Sequence, residues 1–263
     1  MKLSATRRDK RILILGKGGT GKTNLVGTLC EVMPTLVVTS DIAGLETLAS
    51  QGIDPEVIHI QTWRKCWSYF DEIAKLASRF KALAIDDFGN IQETARHKIE
   101  RMPRYPSEEQ AGARFEPQVR RELMLGERTL EMRDWGKMWV AMETFLYEVL
   151  ALPFEVKLVT VLEDTADDLR TGERRIYPNL QGAMRYSLSA RFSLVAEAFI
   201  AELDGIQYYC LTSRSHPRIE TKDRYGSGRT WVDPTALKLL SYINKKGGAE
   251  SKIEQAIGTG ITG

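Results

Sequence analysis

The sequence predicts an α/β domain: a mostly parallel central sheet with helices on both faces, and antiparallel strands toward its C-terminal part. Three observations carry this expectation. Apolar runs of strand length alternate with stretches of helical periodicity along most of the chain. The eight residues Gly16-Lys17-Gly18-Gly19-Thr20-Gly21-Lys22-Thr23 fit G-x-x-x-x-G-K-[ST] at every position and lie between one such run and one such stretch. Two carboxylates close a later apolar run, at the sheet edge where ligands bind in folds of this class.

The elements follow in chain order. Ile12-Leu13-Ile14-Leu15 reads as a buried strand, and Leu25, Val26 and Leu29 fall at helical spacing after the glycine-rich loop. Thr35–Thr39 is a second strand and Val57–Ile60 a short third. A stripe of Trp67, Phe70, Ile73, Ala74 and Ala77 leads into the strand Ala82–Ile85. Pro103, Pro106 and Pro117 interrupt a highly charged stretch, so 89–117 reads as irregular and 89–133 as an excursion from the core. Trp135, Met138, Trp139, Met142, Phe145, Leu146 and Val149 form the clearest amphipathic stripe, read as core packing, and Pro153 ends that helix. Val156–Leu162 is a strand; Ser193–Ala201 and Ile206–Thr212 are two more, read as antiparallel. A glycine-rich segment closes the chain. The expected organisation is an extension over 1–10, one domain over 11–245 and a disordered tail over 246–263.

Composition bounds the function classes. With 263 residues, 43% hydrophobic and 27% charged, the chain suits a single soluble domain with elaborations. A net charge of +2 leaves any nucleic-acid case to local clusters. Cys30, Cys66 and Cys210 are scattered without a C-x-x-C pair, which reads as reduced thiols in a cytoplasmic protein. No apolar run has membrane-spanning length, and too few apolar residues follow the charged start for a signal peptide. His59, His97 and His216 lack metal-ligand spacing.

The glycine-rich loop names its ligand, a nucleoside triphosphate with Mg²⁺. Glycines let backbone N–H groups turn inward around phosphates, and the following helix N-terminus adds a fixed positive dipole. Gly16 to Thr23, with Asn24, form the expected ATP cradle. Lys22 reaches the β- and γ-phosphates, and the Thr23 hydroxyl ligates the metal. Asp86 is the expected partner for the metal, while Asp87 is positioned to cap the next helix. Water is oriented by Asp41 or by Glu46; for either, a helix cap or solvated carboxylate is an equal alternative. Glu163, after Val159–Leu162, is placed to sense the γ-phosphate. Two basic clusters remain. Arg170, Arg174, Arg175, Arg185 and Arg191 surround Tyr177, which suits single-stranded nucleic acid or, equally, a solvated face. The second holds Arg214, Arg218, Lys222, Arg224 and Arg229.

These segments, with Arg133–Met138, Tyr177–Gly182 and Thr221–Gly226, resemble the phage RecA/RadA-like ATPases of the Sak type over roughly residues 10 to 240. The resemblance implies a RecA-like P-loop core that hydrolyses ATP with Mg²⁺ and acts on single-stranded DNA in phage recombination, annealing or replication. It implies homo-oligomers with ATP at subunit interfaces, where Lys222 and Arg224 reach a neighbour's nucleotide. It places DNA contacts near Asp164–Gln181, on Arg170, Arg174, Arg175 and Tyr177. It also implies host cytoplasm as the location and a single-stranded-DNA-binding protein as a possible companion. Neither the zinc module nor the protease-like domain of full RadA is present. Lys17–Thr23 also resembles the deviant loop of ParA/MinD-type dimeric ATPases, which makes that family the first alternative. A small-molecule kinase ranks behind it, and an ATP-binding assembly adaptor without turnover is the non-enzymatic one.

Overall fold

A computed structural model describes residues 9–63, 66–100, 132–167, 172–216, 218–245 and 248–260. Its sheet runs in the order β10-β8-β7-β1-β5-β4-β2-β3. The strands are β1 Lys10–Gly16, β2 Thr35–Thr39, β3 Glu56–His59, β4 Ala82–Ile85, β5 Val156–Asp167, β6 Arg174–Pro178, β7 Leu194–Leu203, β8 Ile206–Thr212, β9 Lys222–Asp223 and β10 Thr230–Val232. From β7 through β3 the neighbours are parallel. The edge formed by β8, β9 and β10 is antiparallel, as is the pairing of β6 with β5. The expected α/β architecture is therefore present, including its antiparallel C-terminal strands.

The pleat of β1 explains why the sheet is covered on both sides. Leu13 and Leu15 enter one core with Phe88, Ile91, Phe145 and Phe154, whereas Ile12 and Ile14 enter another with Leu25, Leu29, Trp231 and Leu240. The first core is roofed by α3 Cys66–Leu76, α4 Phe88–Glu100 and α5 Met132–Ala151. The second is roofed by α1 Lys22–Val32 and α7 Ala236–Ile243. In α5, Met138, Met142, Phe145, Leu146 and Val149 are all buried, so the stripe is core as read. Burying each such side chain contributes about 1.5–3 kcal/mol. Between β2 and β3 lies α2 Ile42–Ser50, and a single turn, α6 Met184–Ser187, precedes β7.

Three expectations change. The start of the charged stretch is not irregular: α4 runs from 88 to 100 because Asp87 caps it and Ile91 and Ala95 bury one face. Pro103, Pro106 and Pro117 lie outside the described residues. Secondly, the segment beyond Glu163 is a β5–β6 hairpin rather than a loop, with Asp164 opposite Tyr177 and Asp167 opposite Arg174. Thirdly, the glycine-rich end carries α8, Lys252–Gly260. The Ser251 hydroxyl accepts from the Glu254 N–H, and the Glu254 carboxylate accepts from the Ser251 N–H at 2.7 Å. This capping box starts the helix despite the composition around it. The Arg229 guanidinium, 3.2 Å from Glu254, and the buried Ile257 then fix it to the domain.

Candidate nucleotide-binding site

The loop leaves β1 at Gly16, where a Cβ would collide with the Ala198 carbonyl of β7. It enters α1 through Gly21, whose φ of 84° is left-handed and whose position as N-cap brings no side-chain acceptor. The first N–H groups of α1 are thereby left for a ligand, at the positive end of the helix. Lys22 is only 7% exposed, and its ammonium donates to the carbonyls of Gly16 at 2.7 Å and Lys17 at 2.6 Å. Burial pulls its pKa below the usual lysine value, opposed by the charges of Asp87, Asp86 and Glu163. A buried cation is thus held at the floor of a cradle.

The two adjacent aspartates divide the work. Asp86 accepts from the Thr23 hydroxyl at 2.7 Å and from the Thr160 hydroxyl, so α1 and β5 both aim its carboxylate. Asp87 borders the cavity of the same cradle, but backbone groups hold its carboxylate. It accepts from the Leu162 N–H at 2.8 Å and the Asn90 N–H at 3.1 Å, tying β5 to α4. Burial nevertheless raises its pKa, with the neighbouring Asp86 charge adding to the effect. Asp87 is the structural cap, and Asp86 is free for chemistry.

Mg²⁺ takes hard oxygen ligands, keeps several waters and completes its shell from phosphates. The Thr23 hydroxyl and the Asp86 carboxylate, joined across 2.7 Å at the mouth of the cradle, fit that donor set. They are the residues that would hold it.

A cavity of about 510 Å³ opens here, lined by Gly18, Gly19, Gly21, Lys22, Thr23 and Asn24 with Asp41, Asp86, Asn90 and Tyr209. Asp41 faces it from the start of α2. Its carboxylate caps that helix by accepting from the Ala43 N–H, so the cap alternative holds as well as the placement. A Cβ at Gly44 would lie 3.7 Å from the Asp41 carboxylate and 4.0 Å from that of Asp86, so both border the same glycine. Glu46 is exposed on α2 and does not line the cavity. Glu163 lies within β5 rather than at its tip; burial raises its pKa while Lys17 and Lys22 lower it.

Other expected residues lie elsewhere. Lys222 pairs with Val195 near the start of β7, and its ammonium donates to the Ala190 carbonyl at 3.1 Å. The Arg224 N–H donates to the Ser193 carbonyl. Because β7 runs parallel to β1, both cations sit at the sheet edge opposite their own phosphate cradle. Arg174, Arg175 and Tyr177 sit on β6, and Arg170 falls outside the described residues. Thr160 and Tyr209 escape a reading of the sequence, because each acts on a group more than sixty residues away.

Residues 8–225 match a family described as an AAA domain. The chain belongs to this AAA family of P-loop ATPase domains. The match spans the cradle, Asp86, the β5–β6 hairpin and Lys222 through Tyr225 of this AAA protein. Its structure is similar to that of a KaiC-like protein from the hyperthermophilic archaeon Pyrococcus horikoshii, with 14% identity, a TM-score of 0.44, and coverage of 86% of this chain and 90% of that one. No curated protein sequence matches it. Among the described residues, no helix of the AAA protein is long and apolar enough to cross a membrane.

Proposed function

We propose that this AAA protein hydrolyses ATP with Mg²⁺, as a homo-oligomer that acts on single-stranded DNA. The observation that carries hydrolysis is the Thr23–Asp86–Thr160 chain beside the buried Lys22. Lys22 moves from loop carbonyls onto the β- and γ-phosphates, and the free N–H groups of α1 hold the same oxygens. Bound Mg²⁺ supplies neutralisation of the charge that develops on those oxygens. Asp41, at the cavity wall near Asp86, orients the attacking water. Glu163, which follows the cavity-lining Leu162 and feels the charges of Lys17 and Lys22, senses the γ-phosphate. Phosphate release from Mg-ATP by the purified protein tests this reading. Tight binding with no release, with or without DNA, would leave the assembly adaptor in its place.

The position of Lys222 and Arg224 supports shared sites, since neither reaches its own cradle. An arginine supplied by a neighbour is worth about 10³–10⁵ in rate in related NTPases. Mixing Lys222→Ala/Arg224→Ala subunits with Lys22→Ala subunits tests this: partial recovery of turnover supports the shared site. Lys17 is exposed, and its charge only offsets part of the upward shift that burial gives Glu163 and Glu197, so a ParA/MinD-like lysine that crosses to a partner is the second reading. The resemblance to Sak-type proteins supports phage recombination, annealing or replication as the setting, in the host cytoplasm and beside a single-stranded-DNA-binding protein.

A further inference from the structure

The cradle accounts for a triphosphate and its metal, yet one wall of the same cavity is aromatic. Tyr209, on β8, is 51% exposed although it lines the cavity, and its ring lies 3.5 Å from where a Cβ on Gly21 would stand. Directly across the ladder is Ile200, 47% exposed. Period-2 alternation puts Gln207 and Glu202, the pair two residues further out, on the same face. The hairpin of β7 and β8 therefore presents an apolar platform with a polar rim beside the glycine-rich loop. Covering this face with an apolar ring would remove apolar area from water.

The sheet order says which part of a nucleotide meets this platform. Asp86 follows β4, two strands from β1 on one side; Tyr209 lies on β8, two strands from β1 on the other. The metal-binding end of a triphosphate is drawn to Asp86 and Thr23, so its opposite end, carrying ribose and base, extends away from β4. A half-exposed ring beside the cradle offers a face on which a base can stack.

We propose that Tyr209, backed by Ile200, is the platform on which the nucleotide base stacks. The assignment rests on the nucleotide reading of the cradle and adds to it the group that distinguishes a nucleotide from bare triphosphate. Calorimetric titration with Mg-ATP and, separately, with Mg-bound inorganic triphosphate separates the two. Wild type should bind both ligands, ATP more tightly. Tyr209→Ala should lose about ten-fold in ATP affinity, within the range expected for one stacked base, and keep its triphosphate affinity within about two-fold. Tyr209→Phe, which keeps the ring and loses the hydroxyl, should bind ATP like wild type. Unchanged ATP affinity in Tyr209→Ala overturns the platform and leaves the cradle standing. Equal losses for both ligands also overturn it, by showing that the ring supports the Gly21 turn. A wild-type protein that binds neither ligand removes the nucleotide reading itself.

Discussion

The glycine-rich cradle and the β5–β6 hairpin are both rich in cations, but they hold them differently. In the cradle, Lys22 is buried against carbonyls of its own loop, and Asp86 is fixed by hydroxyls from α1 and β5. Lys22 is buried and Asp86 half-buried, and both border one volume, where electrostatic interactions are stronger than at the open surface. On the hairpin side, Arg175, Arg185 and Arg191 each have a carboxylate partner at or near the surface. Arg175 lies 3.8 Å from Glu173, Arg185 pairs with Asp164 while its guanidinium stands 5.6 Å over Tyr177, Arg191 pairs with Glu143, and Asp167 opposes Arg174 across the ladder. Exposed pairs of this kind are worth about 0–1 kcal/mol and are screened by salt. A run of arginines along a sequence is therefore not a basic patch in space until the acids brought in by the fold have been counted.

Lys22→Ala is the strongest way to break that contrast. Removing the buried cation should lower turnover at saturating Mg-ATP by at least about 10²–10³, as for loss of one preorganised transition-state donor. The circular dichroism spectrum and melting temperature should stay near wild type. Retained turnover would sink the cradle assignment. Asp86→Asn keeps the shape and removes the charge. Its expected cost is about 10–100-fold in turnover, with a raised Mg²⁺ requirement and little change in nucleotide affinity. A titration of rate against Mg²⁺ checks it.

Glu197 sharpens the comparison from a half-buried position. Burial pushes its carboxyl up to about 7, and the nearby Glu163 charge adds to this while Lys17 opposes it. A folded-state pKa raised above the unfolded value of about 4.5 means that the native protein binds the extra proton between these limits. Its contribution to stability is complete below about pH 4.5 and is lost as pH rises through about 7, up to about 3 kcal/mol in total. Glu197→Gln, which is neutral throughout, should melt higher than wild type at pH 8 and no higher at pH 5. Equal melting differences at both pH values would show that the carboxyl ionises unhindered.

The hairpin should give the smallest effect. Arg174→Ala with Arg175→Ala is expected to weaken single-stranded DNA binding a few-fold and to flatten the log–log salt slope by about 0.7 for each phosphate no longer neutralised. An unchanged slope in fluorescence anisotropy would leave these arginines in a solvated face, with Arg175 paired to Glu173.

Much of this protein was determined locally. The cradle is a run of backbone dihedrals and N–H groups that eight adjacent residues specify between a strand and a helix, so Gly16 to Thr23 were legible without tertiary information. The same holds for the central parallel strands β1, β2, β4 and the first half of β5, whose apolar runs are buried on both faces, and for the 3.6-residue stripe of α5. The Ser251–Glu254 capping box was also written locally, although the glycines around it argued for a tail. Tertiary structure decided whatever depends on two distant segments meeting. It separated Asp86 from Asp87, since only the arrival of Thr160 and the Leu162 N–H gives one carboxylate hydroxyl partners and the other backbone partners, although both border the cavity. It turned the basic segment into a hairpin whose acids come partly from other elements, and sent Lys222 and Arg224 to the far edge of the sheet. It brought Tyr209 to Gly21 across nearly the whole domain. Dihedral preference and hydrophobic period act over a few residues and can be read in sequence; pairing of charges and convergence of side chains act through space and are fixed only when the sheet closes its order.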